Sequence, residues 1–373
     1  IDGLLEVYRM LYQLNYKDEQ IYEKIALMAP TGRAAKRMKE LLDMDAKTIH
    51  RHLGYNYDGL FSYDEDHLLP QDLIIIDEAS MIDLFLAERL FKAIKEDAQV
   101  IIVGDVDQLP SVGPGQVLSD LIESKRVEVV RLDEIHRQAK DSKIISLAQS
   151  VNHQDLSSED LVSDQDVMLY QAPYEKIKEV MIEHIESALQ AGYDMINDIQ
   201  VLIPMYKGEL GIDAINQLLQ KKFNPNQDVS MTYGDKTYYV GDKVIQLVND
   251  AKRSIMNGDI GVITHIGKNQ QNEEFMLVSF DDQNVMYVKS DLEELNLAYA
   301  MSIHKSQGSE YKLVLMPMIK GYMHMLKKEL IYTAMTRAKK NLLIAGDMKL
   351  LIYAANRLTE KRQTTLKDRL NLL

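Results

Sequence analysis

Three apolar runs in the first third of the chain carry no alternating polar positions: Ile25-Ala26-Leu27-Met28-Ala29, Leu73-Ile74-Ile75-Ile76 and Val100-Ile101-Ile102-Val103. Such runs suit strands buried on both faces, as in a parallel sheet. Helical spacing separates them. Leu4, Val7, Tyr8 and Leu11 share one face of a first helix. Leu84, Ala87, Leu90, Phe91 and Ile94 do the same for a helix over about 81–96. A further helix is expected near 115–124 and a further strand at Val127–Leu132. Strand, helix, strand in this order predicts a doubly wound α/β fold.

The acidic stretch 150–170 reads as a boundary. A helix over about 174–190, a strand at Ile199–Ile203 and an amphipathic helix at 212–222 start a second α/β domain. From about 230 the pattern changes to short strands: Tyr238–Val240, Lys243–Val248, Asp259–Ile266, Phe275–Phe280 and Val285–Lys289. Gly-Asp, Asn-Gly-Asp and Asp-Asp-Gln-Asn turns separate them, which predicts a small inserted β-barrel. The α/β pattern returns near 298, with a strand at Tyr311–Pro317, a helix at Lys328–Lys340, a strand at Asn341–Ala345 and a basic terminal helix. The expected domains are 1–148, 149–230 with 296–373, and the insert 231–295. A hairpin or projecting loop at about 53–70, with Tyr55, Tyr57, Gly59 and Tyr63, belongs to the first.

Composition narrows the function classes. The 373 residues are too many for one ordinary core. There is no Cys, so no disulfide framework and no thiolate metal site. No apolar run is long enough to span a membrane, and none has the pattern of a signal peptide. No membrane partner and a cytoplasmic location are therefore expected. The net charge of −14 leaves room for nucleic acid only in a local basic groove. The chain starts at Ile1 and enters a helix with no start signal, so sequence upstream is expected to have been cut away.

The candidate chemistry lies at strand ends. Asp77 and Glu78 follow the second apolar run, where ligands sit in parallel sheets. There an Asp can hold Mg²⁺ and a Glu can polarise an attacking water, as nucleoside triphosphate hydrolysis needs. Two solvated acids are the alternative. Pro30-Thr31-Gly32 leads into a helix bearing Arg33, Lys36 and Arg37, which is either a phosphate site or a solvated basic helix. Gln108 suits a γ-phosphate sensor or a turn cap. Arg137 suits a transition-state arginine or an ordinary surface residue.

Eight blocks in order resemble the RecD-like group of superfamily 1 DNA helicases, related to the alpha subunit of exodeoxyribonuclease V. They are 29–35, Thr48-Ile49-His50-Arg51, Asp77–Met81, Gly104–Pro110, Ile135-His136-Arg137-Gln138, 204–211, Ile303–Glu310 and Tyr332–Ala338. The resemblance implies two RecA-like parallel-sheet motor domains, with the small β-barrel inserted in the second. ATP would lie between them and single-stranded DNA across the top. It implies Asp77 for Mg²⁺, Glu78 as base, Gln108 on the γ-phosphate, and Arg137 and Arg337 as arginine fingers. Gln307, Gly308 and Glu310 would line the nucleotide cleft. Thr31, Arg33, Thr48, His50, Lys207, His304, Lys305 and Ser306 would hold the DNA backbone. The implied activity is 5′→3′ translocation and unwinding in DNA repair or recombination. Duplex junctions, a nuclease complex and single-strand-binding proteins are the partners that follow. The 53–70 segment stands where the family has its strand-separating pin.

One motif departs from the family. The phosphate-binding loop G-x-x-x-x-G-K-[ST] is absent from these residues. The 373-residue chain is therefore expected to lack ATP turnover that its parent possesses. A DNA-binding or scaffold protein derived from a helicase is the alternative.

Overall fold

The computed structural model describes residues 1–13, 18–56, 59–132, 142–250, 252–253, 255–280 and 283–372. In the first unit, β1 (Ile25–Ala29), β2 (Ala46–Thr48), β3 (Leu73–Ile76) and β4 (Gln99–Ile102) form a parallel sheet in the order β2-β1-β3-β4. Every side chain of β3 is fully buried. Ile74 and Ile76 join one core with Ala26 and Met28, while Leu73 and Ile75 join another with Ile25 and Leu27. A strand feeding two cores has no polar face, which is why its sequence shows no alternation. Each such side chain contributes about 1.5–3 kcal/mol on burial, so the edge that β3 leads into is firmly anchored.

Several expectations are corrected in this unit. The first helix, Asp2–Gln13, buries Leu5 and packs Tyr8 and Tyr12 on the core, leaving Leu4, Val7 and Leu11 exposed. Apolar residues lie all round this helix, so spacing alone allowed more than one face. The helix predicted over 81–96 spans Leu84–Lys92, started by Asp83, whose side chain accepts from Leu86 N. Val127–Leu132 forms no strand, and Val130 and Leu132 are 86% and 89% exposed. An apolar run becomes a strand only where a sheet edge takes its hydrogen bonds, and none does so here among the described residues. Of the two readings of 53–70, a hairpin or a projecting loop, the described positions show turns and bends and no pair of strands.

The second unit contains β5 (Val167–Gln171), β6 (Ile199–Leu202), the hairpin β7 (Ser230–Tyr233) and β8 (Lys236–Tyr239), then β9 (Lys243–Gln246), β10 (Ile260–Lys268), β11 (Glu274–Phe280), β12 (Gln283–Val288) and β13 (Leu295–Leu297). It ends with β14 (Ala300–Met301), β15 (Tyr311–Met318) and β16 (Ala338–Gly346). A parallel sheet runs in the order β14-β6-β15-β16-β5, and an antiparallel sheet in the order β12-β11-β10-β9-β13. The closed ring of pairings that a barrel needs is not found among the described strands. β5 overlaps the end of the stretch read as a boundary, and its last two positions, Tyr170 and Gln171, are exposed. The helix expected to reach Lys340 stops at Met335, because β16 begins at Ala338.

A buried polar network ties the antiparallel sheet to the parallel one within this unit. Asp242 accepts from Gln220, Asn224, Tyr239 N and Tyr299. The next residue, Lys243, donates to Ile199 O at 3.1 Å and Gln200 Oε1 at 3.0 Å. Adjacent strand residues point to opposite sides, so one dipeptide fastens two layers. The units themselves are Ile1–Arg131 with Lys361–Leu373, and Leu132–Glu360. Residues 361–373, expected in the second domain, therefore pack in the first unit, and the helix Lys143–His153 packs in the second.

Candidate functional site

In the first unit the pairing register collects the candidate residues at one edge. Met28 pairs with Ile76, Ile76 with Ile102, and Ala29 with Thr48. Pro30-Thr31-Gly32, Thr48, Asp77-Glu78 and Gly104-Asp105 thus all leave the carboxyl ends of neighbouring strands. Backbone bonds continue past the strands: Asp77 N to Met28 O (2.9 Å), Val103 N to Ile76 O (2.7 Å) and Ala79 N to Val103 O (3.0 Å). Gly104 sits against this turn. A Cβ there would lie 3.0 Å from Ala79 N and 3.1 Å from Ser80 N, so the approach of the two loops needs a residue without a side chain.

Asp77 Oδ1 accepts from Glu78 N at 2.8 Å. Glu78 has φ 52° and ψ 38°, the left-handed region. That conformation costs a residue with a Cβ about 1–2 kcal/mol, a strain typical of functional turns. Asp105 organises the next loop, accepting from Asp107 N at 2.9 Å and from Gln108 Nε2 at 3.3 Å. Both roles open for Gln108 remain compatible with this turn. Thr31 caps the helix Gly32–Leu42 by accepting from Ala34 N, and Thr48 caps Ile49–His52 by accepting from Arg51 N. Two helix starts with capping hydroxyls therefore face the edge where Asp77 and Glu78 lie. Arg33 is half-buried beside the first cap. His50 is half-buried too, and burial lowers its pKa against the opposing pull of Asp83. The block Ile135–Gln138, with Arg137, lies outside the described residues.

The second unit shows two groups. At the carboxyl edge, β14 and β6 are neighbours, with Ile203 N bonded to Met301 O at 3.0 Å. His304 and Lys305 follow β14, and Lys207 follows β6. Lys207 is 88% exposed at its side chain and pairs with Asp213 at 3.5 Å. Ser306 differs from its neighbours: it is fully buried, and its hydroxyl donates to Ile303 O at 2.8 Å. At the amino edge, Tyr311 pairs with Ala338 in register, so Gln307–Glu310 stands beside Arg337. Arg337 is only 3% exposed and donates to Thr333 O at 3.3 Å and Ser309 O at 3.2 Å. Gln307 is buried, Gly308 has φ 73°, and the Glu310 side chain pairs with Lys339 at 3.2 Å.

Two partners were not anticipated from sequence. Lys339 neutralises Glu310, and Arg362 gathers the loop that follows Gln108. The Arg362 guanidinium donates to Gly113 O, to Ser111 O at 2.5 Å, to Gly115 O at 2.8 Å and to Ser111 Oγ at 3.2 Å. Lys361 and Lys367 add ion pairs to Glu123. A basic tail was the available signal, but 247 to 251 residues of sequence separate Arg362 from its carbonyl partners.

The donor set suits Mg²⁺ carried with a nucleotide better than a self-contained metal cage. Among the described residues no group of three His, Asp, Glu or Cys side chains converges. Mg²⁺ commonly takes one or two carboxylates and completes its shell with phosphate and water. Asp77 has one carboxylate oxygen beyond its bond to Glu78 N, and Ser80 Oγ is buried with no hydrogen-bond partner among the described residues.

Comparison with known proteins agrees with this architecture. Solved structures with the same fold include Bacteroides Pif1 bound to single-stranded DNA (TM-score 0.53, 18% identity, 92% of this chain and 86% of that one). Pif1 from Candida albicans gives TM-score 0.51 at 17% identity over 95% and 92% of the two chains. The fold is thus shared with these two structures. Residues 7–169 match an AAA domain, 215–280 the SH3 domain of ATP-dependent RecD-like DNA helicases, and 297–345 a UvrD-like helicase C-terminal domain. The ATP-dependent RecD2 DNA helicase of Deinococcus radiodurans is 34% identical over 94% of this chain and 47% of its own length. The RecD subunit of the RecBCD enzyme from Mycolicibacterium smegmatis is 28% identical over 93% and 66%. The chain belongs to the RecD-like superfamily 1 helicases, and it spans about half to two thirds of the length of these relatives.

Proposed function

We propose that this chain is the greater part of the motor of an ATP-dependent DNA helicase that moves 5′→3′ along single-stranded DNA in repair or recombination. The observation that carries the reading is the common edge of β1, β2, β3 and β4, where a Thr-capped helix start, two acids and a glutamine turn lie together. In this reading Asp77 holds Mg²⁺ with ATP, and the metal supplies charge neutralisation on the phosphates. Glu78 takes the proton of the attacking water, and Gln108 orients that water or reads the γ-phosphate. Arg137 and Arg337 stabilise charge on the phosphates, and Gln307, Gly308 and Glu310 belong to the nucleotide side of the second unit. Thr31, Arg33, Thr48, His50, Lys207, His304 and Lys305 hold the DNA backbone. Ser306 acts by shaping its loop, since its hydroxyl is spent on Ile303 O.

In this reading the chain needs a phosphate cradle that its own residues do not supply. Its motif is absent from the sequence, and β4 is a half-exposed sheet edge open to a further strand. Without backbone N–H groups and a lysine around the β- and γ-phosphates, the acids have no substrate to act on. Turnover assays on this chain and on a longer one carrying the upstream residues test this. The expected result is hydrolysis by the longer chain alone. Robust hydrolysis by the 373 residues overturns it. If the longer chain also binds DNA without turnover, the scaffold reading replaces the motor.

A further inference from the structure

The root of the 53–70 loop combines stiffness with an open aromatic surface. Tyr55 N donates to His50 O at 2.9 Å, and Ser62 N and Tyr63 N both donate to Leu53 O, at 2.9 and 3.1 Å. Gly54 has φ +67°, and a Cβ there would lie 2.6 Å from Ser62 Cβ, so the crossing of the loop's two arms is tight. On this frame three rings meet. Tyr55 and Phe61 have centroids 4.9 Å apart, His50 and Tyr55 5.5 Å, and His50 and Phe61 6.2 Å. Tyr55 is nonetheless 49% exposed. A tyrosine serving only to pin the loop would be expected to turn its ring inward.

Two arginines belong to the adjoining helices, Arg51 to Ile49–His52 and Arg89 to Leu84–Lys92. Arg89 holds its guanidinium 6.0 Å from the Phe61 ring, and both it and Arg51 are exposed. The acids nearby have partners within the protein, and the charge of Asp83 also reaches the His50 ring. Asp83 accepts from Leu86 N, Asp64 closes its own turn with Asp66 N and His67 N, and Glu65 and Glu88 both pair with Lys92. His50 lies in the first turn of the helix that Thr48 caps, so the rings stand at the same sheet edge as the capped helix starts.

We propose that Tyr55, backed by His50 and Phe61, is a stacking platform for one unpaired base of single-stranded DNA, with Arg51 and Arg89 against the flanking phosphates. The proposal rests on the DNA reading above and extends it from backbone contacts to a base contact. Exposed aromatic rings interleaved with cations form the usual means of holding single strands without reading sequence.

The test is binding of the whole 373-residue chain to a labelled oligothymidine and to the same length of abasic strand, which has the charge but no bases. Tyr55→Phe keeps the ring, and Tyr55→Leu keeps apolar packing against Phe61 without it. The expected result is that Tyr55→Leu weakens oligothymidine binding about 5- to 150-fold, the range for one base–aromatic stack. Tyr55→Phe stays near wild type, and the three proteins bind abasic strand equally. Equal binding of oligothymidine by wild type and Tyr55→Leu overturns the platform while leaving the DNA reading intact. Failure of the wild-type chain to bind either strand overturns both.

Discussion

Arg337 donates from Nη1 to the carbonyl of Ser309 at 3.2 Å, while its own carbonyl accepts from Tyr311 N at 2.9 Å. The arginine therefore clasps the segment Gln307–Glu310 from both its side chain and its backbone. A residue assigned to phosphate chemistry here also has a structural task. Arg337→Met removes charged donors from buried carbonyls and should lower stability by about 1.5–3 kcal/mol, the range for hydrogen bonds to charged groups. Urea unfolding of the two proteins checks this. Unchanged stability would mean that these hydrogen bonds add nothing net to the fold.

Glu78 supplies a second test of strain. At φ 52° any residue with a Cβ is penalised, and glycine is not. Glu78→Gly should be more stable than Glu78→Ala by about 1 kcal/mol, the reverse of the order at a helical position. Denaturant midpoints for the two variants decide it. An alanine variant as stable as the glycine one contradicts the left-handed turn.

The helix Ile49–His52 makes the first unit sensitive to acid. Burial lowers the pKa of His50, opposed by Asp83. Burial also lowers that of His52, opposed by its contact with Leu27 O at 3.0 Å. The unfolded chain then binds protons at these rings at a pH where the folded chain does not. Stability is full above the ordinary histidine value of 6.5 and falls as pH drops through it toward the lower folded values. Unfolding measured at pH 7.5 and 5.5 should show a smaller loss for the His50→Gln, His52→Gln double variant than for wild type. Equal losses would assign the acid sensitivity to other groups.

Arg362 fixes the loop that follows Gln108. Arg362→Ala should free the backbone of 111–115 and raise its amide exchange, while the rest of the sheet keeps its protection. Arg362→Lys restores one cation without the fork that reaches several carbonyls, so it should recover only part of the protection. Wild-type exchange in the alanine variant would show that the loop holds itself.

The sequence was informative where one physical cause acts locally. Leu73–Ile76 reads as a doubly buried strand because both of its faces meet apolar cores, and Asp77-Glu78 mark its end. The Asn-Gly-Asp turn at 257–259 marks the antiparallel region for the same reason. Where the outcome depends on distant partners, sequence reading failed. Val127–Leu132 has strand composition but meets no sheet edge. The last helix carries the signs of any basic terminus, and only the carbonyls of Ser111, Gly113 and Gly115 show why it packs in the first unit. Ser306 belongs to a polar block and is fully buried. Spacing shows which residues are near in the chain, not which hydrogen bonds are already used.

The most direct test of the whole account is ATP hydrolysis stimulated by single-stranded DNA, measured on the longer chain with its upstream residues, as wild type and as Glu78→Gln. The substitution keeps the shape of the side chain and removes its capacity to accept a proton. The account predicts that DNA-stimulated turnover is lost while DNA binding is retained. Turnover that survives Glu78→Gln would contradict it.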